Sequence, residues 1–250
     1  MLPLMRLTVL LLLLLSCAAL AGPVPFEDAG KAVLKGQRGG GGPVPKDFPD
    51  SLLSWAYEPP DVIPWFLDYQ SWEAHHLNYF RKTYGVDSLK FRPSMLVMHY
   101  TVVPTAEQTY SVLQRRRVTV HFVVDKDGTI YQLLPLERRC TGAYGVNHKA
   151  LSIEMVATTE ADLLSRPYQV FKSFCLARYL MAMYEIPHDK VVGHYEVSEG
   201  VSRVPEYLDL ADPYYPTRYP PSETRTDPGK KYMRLLRGYL NMEPPSEADL

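Results

Sequence analysis

The apolar positions of this chain fall into two periods. Residues 95–101 (MLVMHYT) form a short, β-leaning apolar run, and 118–124 (VTVHFVV) is rich in β-branched residues. The turn Asp125-Lys126-Asp127-Gly128 follows, and 129–134 returns as the second arm of a hairpin. Residues 151–157 (LSIEMVA) predict a further buried strand. Helical spacing appears over 167–184, where Val170, Phe174, Ala177, Met181 and Tyr184 recur on one face. A final helix is predicted over 230–240, with Tyr232, Leu235, Leu236 and Tyr239 on its apolar side. Residues 105–114 predict a short helix that opens with the capping box Thr105 and Gln108. Residues 64–84 also predict a helix, with Pro64 in its first turn and Gly85 just beyond its end. Strands and helices mixed in this order predict an α/β fold: a single domain with a central mixed β-sheet flanked by helices.

Composition narrows the class. A chain of 250 residues that is 46% hydrophobic can bury a full core without staples. Its formal net charge of -1 argues against a nucleic-acid binder, which normally carries a basic footprint. Three cysteines are too few for a disulfide scaffold.

The ends read separately. Arg6 and the apolar stretch 7–15, too short to span a bilayer, predict an export signal over residues 1–21. Two processing routes stay open. Ala19-Leu20-Ala21 before Gly22 fits ordinary cleavage, whereas Leu14-Leu15-Ser16-Cys17 resembles a bacterial lipoprotein box with Cys17 lipidated. Residues 22–50, with four glycines at 39–42, predict a flexible Gly/Pro-rich linker. The domain proper is expected over 51–242, with a loose tail at 243–250. The expected location is the periplasm or cell envelope, anchored to the outer membrane if Cys17 is lipidated and secreted otherwise. Export places Cys140 and Cys175 in an oxidising compartment, where they could pair. Cys175 lies in a helical pattern, which suits a buried free thiol as well.

Few residues carry candidate chemistry. His99 lies at the C-terminal end of a strand, where open α/β sheets gather functional groups. Glu154 sits inside an apolar strand and, by period-2 alternation, points away from Ile153 and Met155. His194 closes the apolar run Val191-Val192-Gly193. Asp227 precedes Pro228-Gly229 and a helix, a setting that by itself favours an N-cap. Two histidines and a carboxylate suit a catalytic zinc that keeps one position open. His121 reads as a satisfied core or surface group. The adjacent His75 and His76 point about 100° apart on a helix, a poor spacing for shared ligation.

VMHYT around His99, HFVVDKDGTIYQLL from His121, NHKALSIEMV around Glu154, VVGHYEV around His194 and TRTDPG around Asp227 occur in one order. In that order they resemble the zinc-dependent N-acetylmuramoyl-L-alanine amidases of type 2, whose fold is shared with peptidoglycan recognition proteins. The likeness spans roughly residues 95–240. It implies one Zn²⁺ per chain on His99, His194 and Asp227, with Glu154 as the catalytic carboxylate. It implies Arg225 as the group that steadies the oxyanion, where the family usually has Lys. The substrate implied is peptidoglycan or a muropeptide, cut between N-acetylmuramic acid and L-alanine. A monomer is expected, with no nucleic-acid partner and no membrane contact beyond a lipid anchor.

The chain departs from the pattern at Arg225 and at Arg139-Cys140-Thr141-Gly142-Ala143-Tyr144, where relatives commonly carry His-Ala-Gly. The stretch from His194 to Asp227 is also longer than in many relatives. Its Pro- and Tyr-rich part, 204–221, is expected to wall the substrate groove or to form a rigid excursion. Asn147 is expected to shape a turn or to touch substrate. A recognition-type domain that binds peptidoglycan without cutting it is the main rival. A His/His/carboxylate iron site and a structural envelope lipoprotein are the others.

Overall fold

The computed structural model describes residues 60–203 and 225–241. The predicted signal, Cys17, the linker, residues 51–59, the 204–221 insertion and the tail lie outside the described residues.

Six strands form one mixed sheet: β1 (Val62–Pro64), β2 (Met95–Tyr100), β3 (Phe122–Val124), β4 (Ile130–Gln132), β5 (Ala150–Met155) and β6 (Val191–Gly193). Their spatial order is β1-β4-β3-β5-β2-β6. β3 and β4 make the antiparallel hairpin that the Asp125–Gly128 turn predicts. Gly128 takes φ 87° there, which a side chain rarely adopts. Strands β3, β5, β2 and β6 run parallel, so their C-terminal ends share one edge of the sheet.

Among the described residues the helices are α1 (Glu73–Tyr84), α2 (Ala106–Arg116), α3 (Glu160–Leu164), α4 (Pro167–Tyr184), α5 (His194–Arg203) and α6 (Lys230–Leu240), with a 3₁₀ turn at His188–Lys190. One sheet face carries Leu96, Met98, Phe122, Leu151, Ile153 and Met155. It packs against Phe171, Phe174 and Leu180 of α4 and Tyr232, Leu236 and Tyr239 of α6 in the main core. The other face packs Val123 with Leu113 of α2, and Val97 with Tyr144 and Val197. Burial on both faces explains why the central strands read as continuous apolar runs. Among the described residues no helix is long and apolar enough to cross a membrane.

The predicted helices 167–184 and 230–240 match α4 and α6. Thr105 caps α2 by accepting from the Gln108 amide, which fulfils half of the expected box. The helix predicted over 64–84 begins only at Glu73. Its first residue, Pro64, belongs to the edge strand β1, and beyond it the Trp65 and Leu67 amides donate to the carbonyls of Gln132 and Leu133. Pro64 ends an edge strand, a place where its missing amide costs nothing. The predicted strand 118–124 shortens to β3, and Thr119 instead exchanges bonds with Thr141. Cys140 and Cys175 are both free and buried, bonded to Ser152 and to the Tyr239 hydroxyl respectively.

Candidate metal and catalytic centre

The parallel register assembles the site. His99 on β2 pairs with Glu154 on β5, so both side chains rise from the same sheet face, opposite Met98 and Ile153. On the other side of β2, Met98 pairs with Gly193, which sets His194 one step further along beside His99. His194 is the first residue of α5. The imidazole rings of His99 and His194 meet edge to face at 4.5 Å.

Asp227 reaches the same point from the segment before α6. Its Oδ2 lies 3.2 Å from His99 Nδ1 and 3.1 Å from His194 Nδ1, and the two Nδ1 atoms are 3.1 Å apart. All three residues are buried. Burial alone would raise the Asp227 pKa, but His194 and His99 together hold the carboxyl well below its usual range. Three lone-pair atoms thus crowd around one point. Four ligands at roughly 2.0–2.2 Å from a tetrahedral ion stand about 3.3 Å apart. The observed spacings fit that demand, and two histidines with one carboxylate fit a centre that keeps a position open.

Asp227 is not an N-cap. The cap position of α6 is Gly229, which makes no side-chain cap bond. Residues of α5 hold the Asp227 segment. The Tyr195 amide donates to the Asp227 carbonyl at 2.9 Å. The Tyr195 ring and Pro228 both crowd Gly193, so closely that a Cβ there would sit 2.8 Å from the ring and 3.0 Å from Pro228 Cδ. Ser198 donates to the Tyr195 carbonyl and accepts from the Arg225 amide. Glu196 accepts from the Gly193 amide and takes two bonds from Arg237 of α6.

Glu154 lines a cavity of about 120 Å³ with Thr101, Thr109, Leu113, Arg116 and Val120. Its Oε2 is buried, with no hydrogen-bond partner among the described residues. Burial raises its carboxyl to about 7, helped by Asp227 and opposed by His99. A carboxyl that titrates near neutrality can both take and return a proton.

His121 is accounted for by structure alone. Its Nδ1 accepts from the Ser152 amide and its Nε2 donates to the Arg138 carbonyl. His76 also donates to a carbonyl, that of Arg117, and lies away from the metal cluster. Asn147 is buried and shapes its loop: its Oδ1 accepts from the Ala143 amide and its Nδ2 donates to the Tyr79 hydroxyl. The sequence alone does not single out the supports Tyr195, Glu196 and Ser198. The motif VVGHYEV contains Tyr195 and Glu196 and ends one residue before Ser198.

A profile of the N-acetylmuramoyl-L-alanine amidase family matches residues 90–230. No curated protein matches the chain. Among solved structures, the endolysin amidase LysCS from Clostridium intestinale is 31% identical over 44% of this chain and 74% of its own, at TM-score 0.39. LysC from the same organism is 27% identical over 55% and 85%, at TM-score 0.41. The amidase AmiD from E. coli, solved with an anhydro-N-acetylmuramic acid peptide, is 20% identical over 48% and 54%, at TM-score 0.39. The matched residues run from before β2 to the start of α6 and so contain His99, Glu154, His194 and Asp227, and the chain belongs to the N-acetylmuramoyl-L-alanine amidase family.

Proposed function

We propose that this amidase holds one zinc ion on His99, His194 and Asp227 and hydrolyses the bond between N-acetylmuramic acid and L-alanine in peptidoglycan or a muropeptide. One observation supports this most. The three ligand atoms converge within 4.8 Å of one another, and Glu154 stands beside His99 in the sheet register. Zinc, when bound, supplies a Lewis acid that polarises a carbonyl and makes water more acidic.

The chain's own groups do the rest. Glu154 takes a proton from the attacking water and returns it to the leaving amine. Burial of the carboxyl at the floor of its cavity, beside Leu113 and Val120, raises its proton affinity toward that of the task. Arg225, two residues before Asp227, serves as a fixed positive charge for the developing oxyanion, and cannot itself donate a proton at neutral pH. A filled ligand set with an acid/base carboxylate favours turnover over mere binding.

We also propose export of the chain to the periplasm or cell envelope. Mass spectrometry of the mature N-terminus tests this, with Gly22 or a lipidated Cys17 as the first residue. For the catalytic reading, the purified protein is assayed for bound metal and incubated with muropeptides. About one zinc per chain and a new L-alanine amino terminus are expected. Metal-free protein that cleaves at full rate would overturn the assignment.

A further inference from the structure

The helix that follows Asp227 has no cap of its own. Gly229 occupies the cap position with φ 102°, and its neighbours offer no side-chain acceptor. The exposed ends of the Lys231 and Tyr232 amides are met instead by a residue from another element. Glu160 Oε1, at the start of α3, accepts from Lys231 N at 2.6 Å and from Tyr232 N at 2.9 Å. These are the second and third amides of α6, the ones a local cap residue normally satisfies. The carboxylate also sits where the helix dipole favours a negative charge.

The fit leaves no slack. A Cβ on Gly229 would lie 2.2 Å from Glu160 Cδ and from Oε1. Glycine is therefore required both by its φ and by the approach of this carboxylate. Asp227 is two residues upstream. Its carbonyl is held from the other side by the Tyr195 amide. The ligand segment is thus gripped between the helix that carries His194 and the helix that follows the Glu154 strand.

We propose that Glu160 is a positioning residue for the metal centre. It caps α6 from across the fold and so fixes the backbone from which Asp227 reaches His99 and His194. This rests on the reading of those three residues as metal ligands. Groups that orient ligands typically change metal affinity about 10–100-fold when removed.

The test uses the full chain and measures affinity for Zn²⁺ by competition with a chelator, and the visible absorption of the Co²⁺-substituted protein. E160A is expected to weaken metal binding at least tenfold and to change the cobalt spectrum. E160Q, which keeps an oxygen to accept both amides, is expected to stay within about threefold of wild type. F80L, in a separate apolar cluster around α1, serves as a variant that loses thermal stability without touching α6. It is expected to keep wild-type metal affinity. Equal affinity and spectrum in E160A and wild type would overturn the role of Glu160 alone. A loss in F80L as large as in E160A would overturn it too, since general destabilisation would then suffice. A wild-type protein that binds neither metal would overturn the ligand reading and this proposal with it.

Discussion

His99 and His121 both stand in apolar, β-rich sequence, and both are buried. Their surroundings assign them opposite roles. His121 spends both ring nitrogens on the backbone, one accepting from Ser152 and one donating to Arg138. That fixes a neutral tautomer, and burial lowers its pKa to about 4. His99 turns Nδ1 toward a second imidazole and a shared carboxylate oxygen. Its Nε2 is buried with no partner among the described residues. A histidine whose hydrogen bonds close on the backbone is a part of the wall. One whose nitrogen points at other lone pairs needs a cation or a proton to be stable there.

The sharpest way to break this contrast is to remove each ring. His99→Ala is expected to abolish both metal retention and turnover, measured by elemental analysis and muropeptide cleavage. Glu154→Gln is expected to keep the metal while turnover falls by about 10²–10⁴, the usual worth of a general base. An active Glu154→Gln protein would remove Glu154 from the chemistry. His121→Leu is expected to cost about 2–4 kcal/mol in denaturant unfolding, because it strands a buried amide and a buried carbonyl. Activity per folded molecule should be unchanged, and a selective loss of activity would erase the distinction between the two histidines.

A smaller effect is read from pH. In the unfolded chain histidine titrates near 6.5, while burial holds His121 and His76 near 4 in the fold. Between those values the unfolded chain binds more protons, so stability falls as pH drops from about 6.5 to about 4. Above about 6.5 these two groups contribute no slope. His121→Gln can keep the bond to the Arg138 carbonyl but does not titrate. Its stability curve should be shallower in that window by up to about 1.4 kcal/mol per pH unit. An unchanged slope would show that His121 is already charged in the fold.

Much of this was legible because it is local. The spacing of Val170, Phe174 and Ala177 places α4, and Thr105 announces α2. Alternation in LSIEMVA puts Glu154 opposite the core residues Ile153 and Met155, as the sheet has it. What sequence hid is pairing at a distance. Pro64 looks like a helix start until β4 supplies the carbonyls that make it an edge strand. Asp227 looks like a cap because its neighbours are Pro and Gly, and the true cap, Glu160, is 71 positions away from Lys231. The supports of the metal cluster are likewise set by the register of β2 with β6, which no local pattern encodes.

That register also has a kinetic side. His99 and Asp227 stand 128 positions apart in the chain, and His99 and His194 stand 95 apart. No hairpin or helix can form the cluster early, because β5, β2 and β6 must first align in parallel, a slow kind of closure. The proposed zinc would therefore be bound by the finished fold and hardly by its precursors. It then stabilises the native state by mass action and spans most of the domain, as a removable cross-link would, in a fold whose two described cysteines are both free.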